Sequence, residues 1–197
     1  GHGIYCSSMS GPVVGNRSYG NGYEGIFVDG TSKVEANTVY GNARHGVSVQ
    51  GGGSVAVDNR VWQSGSDGLR VLNGARAARN TIYSNGGNGL WLAGNGESVS
   101  NNLCYANGDE LDEYNIYLDS EYGRGYGTVA NNTLYGGNGL YVGEVGTGGP
   151  TIGRNNIIWA SGADRCAVYM NEAQWMESNF NDLYVTDGAY VGHWLGR

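Results

Sequence analysis

The sequence predicts an all-β fold: a single-stranded right-handed parallel β-helix, a solenoid of about eight coils of about 21–27 residues with three short strands per coil. Three observations predict it. An Asn-x-x-aromatic unit returns down the whole chain, a Gly-apolar-x-apolar unit follows each of the first seven copies, and 37 glycines are spread between them. Glycine at that density breaks helices and marks turns. Hydrophobic residues nevertheless make up 40% of the chain, with 15 tyrosines and 5 tryptophans. That is too much apolar material for a disordered segment.

The Asn unit reads Asn16-Arg-Ser-Tyr19, Asn37-Thr-Val-Tyr40, Asn59-Arg-Val-Trp62, Asn80-Thr-Ile-Tyr83, Asn102-Leu-Cys-Tyr105, Asn132-Thr-Leu-Tyr135, Asn156-Ile-Ile-Trp159 and Asn181-Asp-Leu-Tyr184. Successive Asn residues are 21, 22, 21, 22, 30, 24 and 25 positions apart, so the second half carries insertions. The glycine unit opens the chain as Gly3-Ile-Tyr-Cys6. It continues as Gly25-Ile-Phe-Val28, Gly46-Val-Ser-Val49, Gly68-Leu-Arg-Val71, Gly89-Leu-Trp-Leu92, Asn115-Ile-Tyr-Leu118, Gly139-Leu-Tyr-Val142 and Ala167-Val-Tyr-Met170. A weaker apolar position precedes each Asn: Val13, Val34, Val55, Ala77, Val99, Val129 and Ile152. Period-2 alternation between turn residues makes each unit a strand.

One such coil cannot stand alone. Ordering its backbone costs on the order of 20–40 kcal/mol, against ~1.5–3 kcal/mol for each buried aliphatic side chain. Stability therefore belongs to the stack. A recurring turn Asn suits a ladder of side-chain amides from coil to coil, at about 4.8 Å per coil and roughly 40 Å overall. Only the stretch 172–178 resembles a helix former. A hairpin-built sandwich or barrel would not return the Asn register so regularly.

A net charge of −7 and a pI near 4.8 argue against nucleic acid and anionic membranes as partners. No apolar run reaches the length of a membrane span. Cys6, Cys104 and Cys166 lack metal-ligand spacing and read as core thiols, with one disulfide and a leftover thiol as the alternative. Asn16-Arg-Ser18 and Asn131-Asn-Thr133 match the glycosylation pattern by chance in so Asn-rich a chain.

Alternation turns the middle residue of each glycine unit outward. That column is Tyr5, Phe27, Ser48, Arg70, Trp91, Tyr117, Tyr141 and Tyr169, with Asp29 and Asp119 two positions on. Exposed rings at one per coil beside carboxylates suit a linear sugar chain. They equally suit packing up the stack. The column Tyr19, Tyr40, Trp62, Tyr83, Tyr105, Tyr135, Trp159 and Tyr184 is more regular, and regularity marks a structural ladder.

Two sets of titratable residues are candidates for chemistry. The positions before the glycine unit read Glu24, His45, Asp67, Asn88, Glu113, Asn138 and Arg165. Stacking would set His45 between Glu24 and Asp67 at about 5 Å each. That arrangement is either a proton shuttle or a charge ladder. The turn Asp109-Glu110-Leu111-Asp112-Glu113 could offer oxygen ligands to Ca²⁺ but lacks the spacing of a Ca²⁺ loop, and a solvated turn is its other reading. No cofactor is expected beyond that weak Ca²⁺ candidate.

Asn-Thr-Val-Tyr-Gly-Asn followed by Gly-Val-x-Val resembles the repeat of the pectate-lyase-like superfamily over nearly the whole chain. The resemblance implies the fold but not one function, because that superfamily spans lyases, hydrolases, epimerases and adhesins. Gly1-His2-Gly3-Ile4 resembles a signature of polygalacturonase glycoside hydrolases, but their aspartates have no counterpart here. Nor is the lyase pattern of a basic residue among acidic Ca²⁺ ligands met around Arg70. The segment Ser178 to Trp194 is similar to one in large bacterial surface proteins, and neither end shows a capping helix. Residues 1–197 are thus expected to be one β-helix domain within a longer chain, extracellular or at the cell surface.

The leading expectation is a non-catalytic segment, structural or polysaccharide-binding through Tyr5, Phe27, Asp29, Arg70, Trp91, Tyr117, Asp119, Tyr141 and Tyr169. A polysaccharide-active enzyme, with its site on the same face or in coils beyond this chain, is the alternative. A third reading is a spacer that associates with copies of itself through uncapped ends.

Overall fold

A computed structural model describes residues 1–7, 11–94, 96–119, 127–143, 150–171 and 176–194. The chain winds as a parallel β-solenoid with three sheets, one of nine strands and two of eight. The glycine units form the first sheet, from Ile4–Ser7 to Tyr190–Trp194. The weaker apolar positions form the second, from Val13–Val14 to Met176–Asn179, and the Asn units form the third, from Arg17–Tyr19 to Asp182–Thr186. Each strand pairs in parallel with the strands one coil before and after it, as in Tyr5 with Phe27 and Trp91 with Tyr117. No helix occurs among the described residues. Part of the stretch 172–178 lies outside them, and Met176–Asn179 is a strand.

The core is one column of inward side chains from all three sheets. Ile26, Val47, Leu69, Leu90 and Ile116 stack in the first sheet, and Val39, Val61, Ile82, Cys104 and Leu134 in the third. The second sheet corrects the reading of its inward positions. Val34 pairs with Ala56, not Val55, and Val129 with Gly153, not Ile152. A slip of one residue exchanges the faces of a strand, so Val55 and Ile152 stand half-exposed on the outer face while Ala56 and Gly153 are buried.

The turns carry two amide ladders. In the first, Asn59 Nδ2 donates to Asn80 Oδ1 at 3.0 Å, and Asn80 Nδ2 to Asn102 Oδ1 at 3.0 Å. It continues through Asn132, Asn156 and Asn181. A second ladder lies between the third sheet and the first. Asn21 donates to Asn42 at 2.8 Å, Asn85 to Asn107 at 2.9 Å and Asn107 to Asn115 at 3.0 Å. Buried turn backbone thereby finds partners that strands cannot supply.

The three cysteines are free. Cys104 and Cys166 are buried as expected, whereas Cys6 is only half-buried at the first strand. Burial pushes the Cys166 thiol up to about 11, partly offset by its hydrogen bond with Tyr114. Such a thiol stays neutral and packs as a small apolar group.

Candidate glycan groove

The first sheet's outer face carries the expected column in register: Tyr5, Phe27, Ser48, Arg70, Trp91, Tyr117, Tyr141 and Tyr169, with His193 beyond it. The structure divides it in two. Tyr5 and Phe27 stack at 5.1 Å near His2 and Tyr23, with Asp29 alongside. The buried Ser48 interrupts the rings. Arg70, Trp91, Tyr117, Tyr141 and Tyr169 then run through consecutive coils, with Asp119 beside Tyr117.

An insertion makes this second half a groove. The inner turn from the second ladder to the first sheet takes four positions at Asn42–Gly46 and Asn85–Gly89, but eight at Asn107–Asn115. The extra residues stand as a wall over the aromatic floor. One cleft of about 360 Å³ is lined by Asp67, Asn88, Trp91, Asp112, Glu113, Tyr117 and Asp119. The next, of about 440 Å³, is lined by Leu111, Asp112, Tyr114, Tyr117, Tyr141, Tyr169 and Asn171. Asp112 and Tyr117 belong to both, so the two hollows adjoin.

The rings are not presented alike. Tyr117 and Tyr141 stack at 4.3 Å, Tyr141 and Tyr169 at 5.3 Å, and Tyr169 and His193 at 4.7 Å. Their faces cover one another, and the Tyr141 hydroxyl is hydrogen-bonded to Tyr117 and to Asn171. Trp91 instead has the Arg70 guanidinium over one face, 3.9 Å from the ring centre, and the smaller cleft between its ring and Tyr117. Burial first, and the Asp119 charge second, raise Tyr117 well above an ordinary phenol. Burial does the same for Tyr114. These hydroxyls therefore stay protonated, Tyr117 bonded to Tyr141 and the buried Tyr114 to Cys166.

The column before the glycine unit departs from expectation. Asn138 pairs with Tyr114, not Glu113, and Cys166, not Arg165, follows it. Tyr114 and Cys166 directly precede Asn115 and Ala167 in the chain, so Glu113 and Arg165 stand one position outside the column. Of Glu24, His45 and Asp67, the structure pairs the last two, with His45 Nδ1 3.1 Å from Asp67 Oδ2. Glu24 turns to His2 Nδ1 at 2.9 Å, which gives His2 a packed, paired position in the first coil. His45 Nε2 lies 3.4 Å from Arg70 Nη1. Asp67 Oδ1 accepts from the backbone N–H and side chain of Asn88 at 3.0 and 3.1 Å. The result is a chain Asn88–Asp67–His45–Arg70, buried at Asp67 and His45, that leads to the guanidinium on Trp91.

Among the described residues no three His, Cys, Asp or Glu side chains gather as a metal site. In the acidic turn, Glu113 accepts from the Glu110 N–H at 2.9 Å, and Asp112 and Glu113 line the groove. The periodic pattern had Asn88 in the column before the glycine unit without a role in the groove, and it missed Leu111 and Tyr114 as lining residues. The turn doubled in length before Asn115 was the available signal for this wall.

On the third sheet the second aromatic column is a continuous stack from Tyr19 to Tyr135, beyond which Trp159 meets Tyr184 edge-on at 5.5 Å. Ring centres from Tyr19 through Tyr40, Trp62, Tyr83 and Tyr105 to Tyr135 are 4.6–5.7 Å apart and nearly parallel. Arg60 donates to Tyr83 at 2.8 Å, and Arg17 to Tyr40. Such a ladder suits a structural role.

A family model described as a right handed beta helix region matches residues 2–195. Among solved structures, the A-module of mannuronan C-5 epimerase AlgE4 from Azotobacter vinelandii is similar, with a TM-score of 0.74 and 17% identity over 94% of this chain and 56% of that one. Pectate lyase Pel9A superposes with a TM-score of 0.48 and 15% identity over 88% of this chain and 51% of that one. The chain thus spans little more than half the length of either structure. Identities this low speak to fold alone. No curated protein matches the sequence. With its coil-by-coil pairing and a family match over almost its whole length, this chain belongs to the right-handed β-helix family.

Proposed function

We propose that this chain is a non-catalytic, polysaccharide-binding β-helix segment acting outside the cell, and that the groove floored by Trp91, Tyr117, Tyr141 and Tyr169 holds the glycan. The observation that carries this reading is the pair of adjoining clefts, where an inserted turn walls an aromatic strand face. A sugar has apolar C–H faces and a rim of hydroxyls. Trp91 offers a ring face, Tyr117, Tyr141 and Tyr169 offer hydroxyl groups, and Asp112 and Asp119 offer acceptors. That mix of apolar surface and a few placed polar groups is what small-molecule sites use. The coil rise of about 4.8 Å is close to the length of one sugar in an extended chain, so successive coils meet successive sugars. Face-to-face stacking falls to Trp91, because the tyrosine faces are taken up by one another.

Trp91→Ala is expected to lower affinity for the recognised oligosaccharide by about tenfold, or ~1.4 kcal/mol, as measured by calorimetry across a glycan panel. Unchanged affinity would overturn the groove.

An enzyme is the second reading, favoured by the His45–Asp67 pair beside the groove. His45 is only 6% exposed and Arg70 stands at its free nitrogen, which keeps substrate away from the base. Loss of polymer size, or a changed sugar spectrum by NMR after incubation, would make this the better reading.

A further inference from the structure

We infer that the cleft between Trp91 and Tyr117 recognises the ammonium group of an amino sugar, so that the groove takes a glycan bearing free amines. The inference rests on the glycan reading above and adds the chemical class of the ligand.

Besides the Asn88 amide, the lining of this cleft has two kinds of group. Asp67, Asp112, Glu113 and Asp119 bring carboxylates, Trp91 and Tyr117 bring rings, and no described basic residue lines either cleft. Aromatic faces with carboxylates around them are the surroundings an ammonium ion prefers, through the ring quadrupole and direct charge pairing. The protein already shows that the Trp91 ring takes a cation, because the Arg70 guanidinium lies 3.9 Å above its centre on the side of the preceding coil. Most of the cleft's lining, Asp112, Glu113, Tyr117 and Asp119, comes from the following coil.

Charge decides against the other glycan classes. Asp67 is committed to His45 and Asn88, and Glu113 to the turn backbone. Asp112 and Asp119 remain to meet the ligand. A polyuronate would set a carboxylate per sugar against this wall, where like charges at close range repel. The chain's net charge of −7 adds to that repulsion at a distance. A neutral glycan would desolvate the two carboxylates without supplying an opposite charge. An amine turns the same desolvation into a favourable pair.

The test uses the whole chain and three tetrasaccharides: one of glucosamine, its fully N-acetylated counterpart, and one of a uronic acid. Calorimetry is run in low salt at about pH 6, where an amine is protonated. The glucosamine tetramer is expected to bind about tenfold or more tighter than the acetylated one, with no binding of the uronate. Asp119→Asn and Asp112→Asn should each cost the amine ligand several-fold more than they cost the acetylated ligand, with unfolding temperatures confirming that the variants fold. Equal or tighter binding of the acetylated or uronic tetramer overturns the amine assignment and leaves the glycan groove standing. Amine binding that survives both Asp variants and Trp91→Ala is attraction to a negative surface, and overturns the assignment as well. Absence of binding by all three overturns the amine assignment, and the wider glycan panel with Trp91→Ala then decides the groove itself.

Discussion

A single Asn shows how one residue secures a coil. Asn80 donates through Nδ2 to the Ala56 carbonyl and to Asn102 Oδ1, and its own Oδ1 accepts from the Asn59 N–H and Nδ2, all at about 3.0 Å. All of these groups lie in the dry interior of a turn. Asn80→Leu keeps the volume and orphans the partners, each at about 1–3 kcal/mol. A loss of about 3 kcal/mol or more is expected, seen as a lower midpoint in denaturant unfolding; a change under ~1 kcal/mol would show that water replaces the amide. The periodic Asn is legible in sequence because only a side-chain amide both gives and accepts along the stack. Its neighbour is not. Ala36, Asp58, Arg79, Asn101, Asn131, Asn155 and Phe180 precede the ladder Asn, and all hold positive φ near 50–60°. Ala, Arg and Phe pay a steric penalty there, and nothing in their chemistry announces the bend.

Within the strand elements, the opening glycine is a matter of space. Gly68 carries no positive φ, but a Cβ there would meet Asn85 Nδ2 at 2.7 Å and the Gly89 carbonyl at 2.9 Å, as well as the Ile82 side chain. The second amide ladder and the next coil both press on this position. Gly68→Ala is therefore expected to cost about 1–3 kcal/mol as an overpacking change, lowering the thermal midpoint by several degrees in calorimetry. An unchanged midpoint would mean that the ladder shifts freely. Alternation along the glycine unit correctly turned Arg70, Trp91, Tyr117, Tyr141 and Tyr169 outward, because two apolar residues flank each one. The second sheet lacks that contrast. Val55-Ala56-Val57 can be read in either phase from its residues, and only pairing with Val34 and Ala77 decides it.

Across the whole molecule, a repeat supplies the scaffold and a departure from the repeat supplies the groove. Deleting residues 109–112 restores the four-position spacing before Asn115. Coil stacking resides in the ladders and strand pairs, so the shortened chain is expected to keep its strand spectrum and unfold within a few degrees of the parent. The wall bearing Leu111 and Asp112 is lost, and glycan affinity should fall about tenfold or more in the same calorimetric assay. Retained affinity would show that the strand face alone holds the ligand.

By itself the sequence determined the architecture. Asn, glycine and alternating aliphatics recur because every coil solves the same local problem: two buried turns and an inward column of side chains. A periodic physical demand leaves a periodic trace. The groove was decided by tertiary structure. Trp91, Tyr117 and Asp119 were legible as an outward face, but their meeting with Asp67, Asp112 and Glu113 depends on how an inserted turn folds back over the neighbouring coils. So does the turning away of Glu24 from His45 toward His2. Such contacts join residues from different coils at a place where the repeat is broken, and a single break leaves no period to read.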